Sequence, residues 1–140
     1  MDPIEFFTVT ANKLKNSKDE PDIRTSINRS YYAIYIEIRD TLAKKGNIPC
    51  PKDHGLISNV FFCPGIPDEV REIGVNLSTL REQRRQADYE MGKFFDSNNA
   101  NLSFNLADTT HKKFQGFMKK QNEVSDIIKN LVNRSRTLNK

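Results

Sequence analysis

The chain has 140 residues, of which 36% are hydrophobic and 29% charged, and carries a net charge of +4. This fits one soluble globular domain with long polar helices, large enough to bury a core without disulfides or a metal. It excludes a membrane-spanning chain, because no stretch approaches the roughly 20 apolar residues that a span needs.

The N-terminus, Met1-Asp2-Pro3-Ile4-Glu5, is acidic and lacks a basic region followed by an apolar run. No secretory signal is expected, and the expected location is cytoplasmic. Cys50 and Cys63 each stand beside a proline and read as unrelated free thiols of a reducing compartment. With His54 alone between them there are too few ligands for zinc, so no metal and no cofactor is expected. The charge is uneven. Residues 112–140 hold eight Lys or Arg against two Asp or Glu, and residues 1–111 hold fourteen against sixteen. A basic end can attract nucleic acid by neutralising phosphates, but it equally suits a solvated helix face.

A first helix is expected over residues 2–17, capped by Asp2 with Pro3 at its first position. Ile4, Phe7, Ala11 and Leu14 form one stripe at helical spacing. The second helix has the strongest pattern. It starts near Pro21 and ends at Gly46 as C-cap, with Ile23, Ile27, Tyr31, Ile34, Ile38 and Leu42 at steps of three or four. A loop over 47–53 leads to Asp53, a good N-cap for a short helix over 54–62. Cys63-Pro64-Gly65-Ile66-Pro67 then turns the chain into a fourth helix over 68–90. Residues 91–103 are polar and read as a mobile loop. A last helix is expected from about 103 or 105 towards 134, with Leu106, Phe114, Phe117, Val124, Ile128 and Leu131 on its buried side and a frayed end after it. No strand pattern appears. The expected fold is all-α: a single domain over 1–140, an antiparallel bundle of four to five helices.

The stripe of the fourth helix, Val70, Ile73, Leu77 and Leu80, continues onto Arg84. An arginine where the period calls for an aliphatic residue is costly unless it is paired. Asp88, four residues on, can pair with it along the same face. Arg81 and Arg85 fall off the stripe and are expected in solvent. On the second helix, Tyr31 and Tyr32 lie about 100° apart, so only one of them can face the core. Tyr31 is expected to pack with its hydroxyl on Arg84 or Asp88. The cluster of Arg29, Tyr31, Tyr32, Arg84, Asp88 and Tyr89 then either fixes helix register or lines a groove. In a groove, Arg84 would hold a phosphate while Tyr32 or Tyr89 stacks on a base. His54 sits in a helix first turn, where the dipole favours its neutral form. His111 reads as a boundary histidine.

Three blocks stand in a familiar order: Asn28-Arg29-Ser30-Tyr31-Tyr32-Ala33-Ile34-Tyr35, then His54-Gly55-Leu56-Ile57-Ser58 with Phe61-Phe62, then Leu80 through Arg84-Arg85-Gln86-Ala87-Asp88-Tyr89. Over about residues 20–120 the chain resembles the HEPN superfamily, in particular small stand-alone members with a YYA … H…F … R..ADY pattern. The resemblance implies a four- or five-helix bundle that dimerises. It also implies work in toxin–antitoxin or phage-defence systems, as a metal-independent endoribonuclease or as the partner of a small nucleotidyltransferase. In the nuclease branch an arginine and a histidine spaced R-x(4–6)-H act on the scissile phosphate and on the ribose hydroxyl. Here Arg84 or Arg85 matches the arginine, and Gln86-Ala87-Asp88-Tyr89-Glu90-Met91 supplies no histidine. The expectation is therefore a module that binds RNA, a nucleotide or a nucleotidyltransferase through a groove around Arg84, Asp88 and Tyr89, with Arg29, Tyr31, Tyr32 and Arg85 as RNA or nucleotide contacts. The alternatives are a ribonuclease using Arg84, Asp88, Tyr89 and His54, or a purely structural dimerisation module.

Overall fold

The computed structural model describes residues 1–138. Among these, six α-helices and one 3-10 turn account for the regular structure: α1 (Pro3–Leu14), α2 (Glu20–Gly46), α3 (His54–Asn59), the 3-10 turn Val60–Phe62, α4 (Asp68–Tyr89), α5 (Ser97–Phe117) and α6 (Gln121–Leu138). The chain is an all-α bundle.

Local chemistry accounts for several of the helix starts. Asp2 accepts from the Glu5 amide at 2.9 Å and Asp53 from the Gly55 amide at 2.8 Å, each satisfying a first-turn N–H that has no helical partner. Pro3 and Pro21 sit in the first turns of α1 and α2, where a missing N–H costs nothing. The stripes then decide the packing. Ile34, Ile38 and Leu42 of α2 join Ile73, Leu77 and Leu80 of α4 and Phe114, Phe117, Ile127 and Leu131 of α5 and α6 in one core. A smaller cluster of Ile23, Ile27, Ala87, Phe95 and Ala100 closes the other end. Gly74 marks a close approach between α4 and the α3 segment. A Cβ there would lie 2.8 Å from the Ser58 carbonyl oxygen and 3.0 Å from Phe61, so only glycine lets α4 meet the α3 segment.

The contacts also give the helix directions. Ser26 donates to the Ala11 carbonyl and Phe7 lies against Tyr32, so α1 runs antiparallel to α2. Asn28 meets Asp88 and Arg24 reaches Glu90, so α4 is antiparallel to α2 as well. Ser103 pairs with Gln83 and Lys113 with Glu72, which turns α5 antiparallel to α4.

Several expectations are corrected. The described residues form six α-helices, where four to five were expected. Asn47, not Gly46, takes the left-handed cap position, with φ 51°; Asn tolerates this conformation, while Gly46 stays helical beneath Val132 and Ile128. The α-helix from His54 ends at Asn59 and tightens into the 3-10 turn. The polar stretch 97–103 is not a loop. Asp96 accepts from the Asn98 and Asn99 amides while the Asn99 side chain accepts from the Asp96 amide, a capping box that starts α5 at Ser97. The expected last helix is two, broken at residues 118–120, where the Lys119 and Lys120 amides turn back to Gly116 and Phe117. After the break Ile127 is fully buried and Ile128 only partly. The end expected to fray stays helical to Leu138, and residues 139–140 lie outside the described part.

Candidate functional site

Arg84 points inward as its place on the stripe predicts, with its side chain 13% exposed. Its Nη1 lies 3.5 Å from the Asp88 carboxylate, beyond ordinary hydrogen-bond length. Its Nε is buried without a partner. The guanidinium carbon stands 5.5 Å from the Tyr31 ring centre and 5.6 Å from that of Tyr32, within cation–π range of both. The arginine is thus held by aromatic faces and one long ion pair. Arg85 differs. It projects into solvent and is bound to Glu82 and Glu90 at 2.7 and 2.9 Å. Hydrogen bonds from Arg85 and Gln86 hold the Glu82 carboxyl down at about 2.

Asp88 makes no hydrogen bond to Tyr31. Its second interaction is with Asn28, whose side-chain amide donates to it at 3.0 Å. Asn28 in turn accepts from Arg29, and the Arg29 guanidinium rests 5.4 Å from the Phe7 ring centre. Arg29, Asn28, Asp88 and Arg84 therefore form a polar chain across the α2–α4 seam, with an unpartnered, buried Nε on the arginine at each end. Tyr89 is 69% exposed and has no aromatic partner among the described residues.

The Tyr31 hydroxyl finds His54 rather than Arg84 or Asp88. It lies 2.6 Å from His54 Nδ1, which corrects the expected pairing. Asp53 caps α3 and thereby sets His54 against α2, where the imidazole stacks on Tyr35 with centres 4.2 Å apart and planes 10° apart. The Tyr32 ring meets it edge-on at 5.9 Å. Burial lowers the His54 pKa, and Arg81, Arg84 and Arg39 lower it further. Burial raises the pKa values of Tyr31 and Tyr35. A phenol gives up its proton more readily than a neutral imidazole N–H does. Tyr31 therefore donates to Nδ1, and Nε2 carries the imidazole proton. Nε2 has no hydrogen-bond partner among the described residues.

The structure thus brings Arg84, His54, Tyr31, Tyr32, Asp88, Asn28 and Arg29 to one seam, and leaves Tyr89 and Arg85 on the outer side of α4's end. A cleft whose lining includes Asn28, Arg29, Asp88 and Met91 opens beside the polar chain. Sequence reasoning did not single out Tyr35 or Asn28. Tyr35 lies four residues from Tyr31, and Asn28 three before it, so helical spacing alone could have placed both on that face.

Sequence reasoning also missed Arg24. This second inward arginine is 9% exposed. It donates to the carbonyls of Ala87 (2.8 Å), Glu90 (3.1 Å) and Lys93 (2.5 Å) and to Glu20 at 2.9 Å, with Phe95 4.7 Å below it. The signal was present: Arg24 precedes Ile27 by three and Tyr31 by seven, on the stripe itself.

Among the described residues no group of three or more His, Cys, Asp or Glu could hold a metal ion, and no helix is long and apolar enough to cross a membrane. No protein-family model, curated protein or solved structure matches this chain.

Proposed function

We propose that this chain is a HEPN-like module that binds RNA or a nucleotide at the α2–α4 seam, with Arg84 receiving the phosphate. One observation carries the reading. Arg84 is an inward guanidinium without a hydrogen bond among the described residues, seated against Tyr31 and Tyr32. An arginine recruited only for structure has its donors filled, because unfilled buried donors cost about 1–3 kcal/mol each. A phosphate would supply the missing charge-assisted bonds, and the Nε2–H of His54 would add a neutral donor from α3. Tyr89, exposed on the outer side of α4's end, would stack on a base that reaches past the seam.

A second reading, a metal-independent endoribonuclease, rests on the meeting of His54 and Arg84 at Tyr31. The histidine that the arginine motif lacks in sequence is offered by another helix. The protonated Nε2 favours donation over proton abstraction, so binding is the preferred reading. On the resemblance alone the module also forms homodimers in the cytoplasm and partners a nucleotidyltransferase in a toxin–antitoxin or phage-defence setting.

The test is fluorescence anisotropy with a labelled single-stranded RNA, alongside a cleavage assay in chelator. Saturable binding that Arg84→Ala weakens about tenfold or more, the worth of one charge-assisted contact, supports the module. Equal binding by both proteins rejects it. Metal-independent cleavage that is lost in both Arg84→Ala and His54→Ala would replace it with the enzyme.

A further inference from the structure

On another face of α2, away from the Arg84 seam, a cleft of about 210 Å³ lies where α1, α2 and α5 meet. It exists because three facing positions are alanine, Ala11 on α1, Ala33 on α2 and Ala107 on α5, all buried. Helix interfaces normally interlock larger side chains at crystal-like density, so three alanines at one junction leave room that neighbouring Ile34 does not fill.

The cleft is not simply apolar. Ser30 is 1% exposed, lines it, and its hydroxyl has no partner. Such a buried group normally finds a protein or water partner. At the cleft's rim the Glu37 side chain is only 18% exposed, and its one ion-pair partner among the described residues is Nδ1 of His111. Asp108 adds a second carboxylate, tied to Lys112 at 3.0 Å. The groove continues from Glu37 and Ile4 past Asp2, Glu5 and Asp40. Five carboxylates, Asp2, Glu5, Glu37, Asp40 and Asp108, thus line this cleft and its continuation, with Lys112 on Asp108 and Arg39 on Asp40.

We infer that this cleft is a binding site for a small primary amine carried on a single ring or short branched apolar body. The volume admits one ring, since an engineered apolar cavity of about 150 Å³ holds benzene. The ammonium would pair with the remaining oxygen of Glu37 and share Asp108 with Lys112, the body would lie against the three alanines, and a polar substituent would meet Ser30. Amines fit this lining better than divalent cations, because no three metal-ligating side chains converge there among the described residues. The amine meets the acidic mouth with complementary charge, and an anion would meet repulsion.

The experiment is isothermal titration of the intact chain with phenethylamine, ethylbenzene and phenylacetate, which share a ring and differ in charge. Phenethylamine should bind, and Glu37→Gln should weaken it about tenfold, the worth of one charge-assisted contact. Ala33→Leu should abolish binding by filling the space, and Ala107→Val, which intrudes on the same cleft from α5, should weaken it if the first variant does not fold. Arg84→Ala should leave phenethylamine binding unchanged, which separates this site from the seam. Equal binding of ethylbenzene or phenylacetate overturns the inference, as does no binding by any probe (a cleft that holds only water). Binding indifferent to both Glu37→Gln and Ala33→Leu overturns it too.

Discussion

Arg24 and Arg84 are the same kind of residue in the same kind of place, an arginine on the buried stripe of a long helix, and they are treated oppositely. Arg24 spends its donors on backbone carbonyls at the C-terminal end of α4 and in the following loop. The Ala87 carbonyl has no helical partner and lies at the negative end of the helix dipole, while the Glu90 carbonyl, which also accepts from the Lys93 amide, and the Lys93 carbonyl follow beyond the helix. The charge of Arg24 is therefore matched at every donor, and the loop that carries Phe95 is tied to α2. Arg84 has aromatic faces, a long ion pair and an empty Nε. The difference teaches how to separate structural from functional charge inside a helical bundle: by asking which donors are filled, since burial is similar in both.

The largest expected effect concerns the filled arginine. Arg24→Leu strands the Ala87 and Lys93 carbonyls and should cost about 3 kcal/mol in urea denaturation, as breaking a buried charged network does. Hydrogen exchange should rise over residues 90–96. Arg84→Leu should cost less than about 1 kcal/mol or stabilise slightly, because it removes an under-bonded charge and leaves Asp88 its bond from Asn28. If the two substitutions cost the same, the contrast is wrong. Tyr31→Phe should cost about 1 kcal/mol, the net worth of one hydrogen bond, and should raise the His54 pKa toward its ordinary value in an NMR titration by letting in water.

The pH dependence is smaller and has a definite sign. The His54 pKa lies below its ordinary 6.5 when folded, so the unfolded chain binds the proton more readily. The stability this contributes is whole above 6.5 and drains away as pH falls from there through the lower folded value. His54→Gln should show a shallower loss of stability than the parent between pH 7 and 5, measured by parallel urea melts. The smallest effect is Arg85→Ala. Its exposed pairs with Glu82 and Glu90 are worth little in water, so stability should be unchanged. RNA binding should fall less than in Arg84→Ala, because two carboxylates already neutralise Arg85. A larger loss in Arg85→Ala would move the site to the outer face of α4.

How far the molecule could be read beforehand depends on which forces are local. The stripe Val70, Ile73, Leu77, Leu80 and its continuation onto Arg84 were legible, because period and polarity reside in the chain itself. The start of α5 was not. Asn98, Asn99 and Asn101 have turn chemistry in isolation, and here Asn99 closes a cap while Asn101 bonds back to Asn16 on the α1–α2 connection. A local cap and the bond from Asn101 to the α1–α2 connection together override turn propensity in that stretch. The α5–α6 break was hidden for a related reason, since the apolar steps run on across it and only the turn at 118–120 shows where the direction changes.

By itself, then, the sequence determined that the chain is helical, where its main stripes lie, and that an arginine must face inward at position 84. Helical spacing is a property of one segment and needs no partner. Only the tertiary structure decided that the Tyr31 hydroxyl goes to His54 and not to Arg84, that Asn28 shares Asp88, and that Arg24 is satisfied while Arg84 is not. Each of those is a choice among donors and acceptors from different helices, and the choice is made by how α2, α3 and α4 come together.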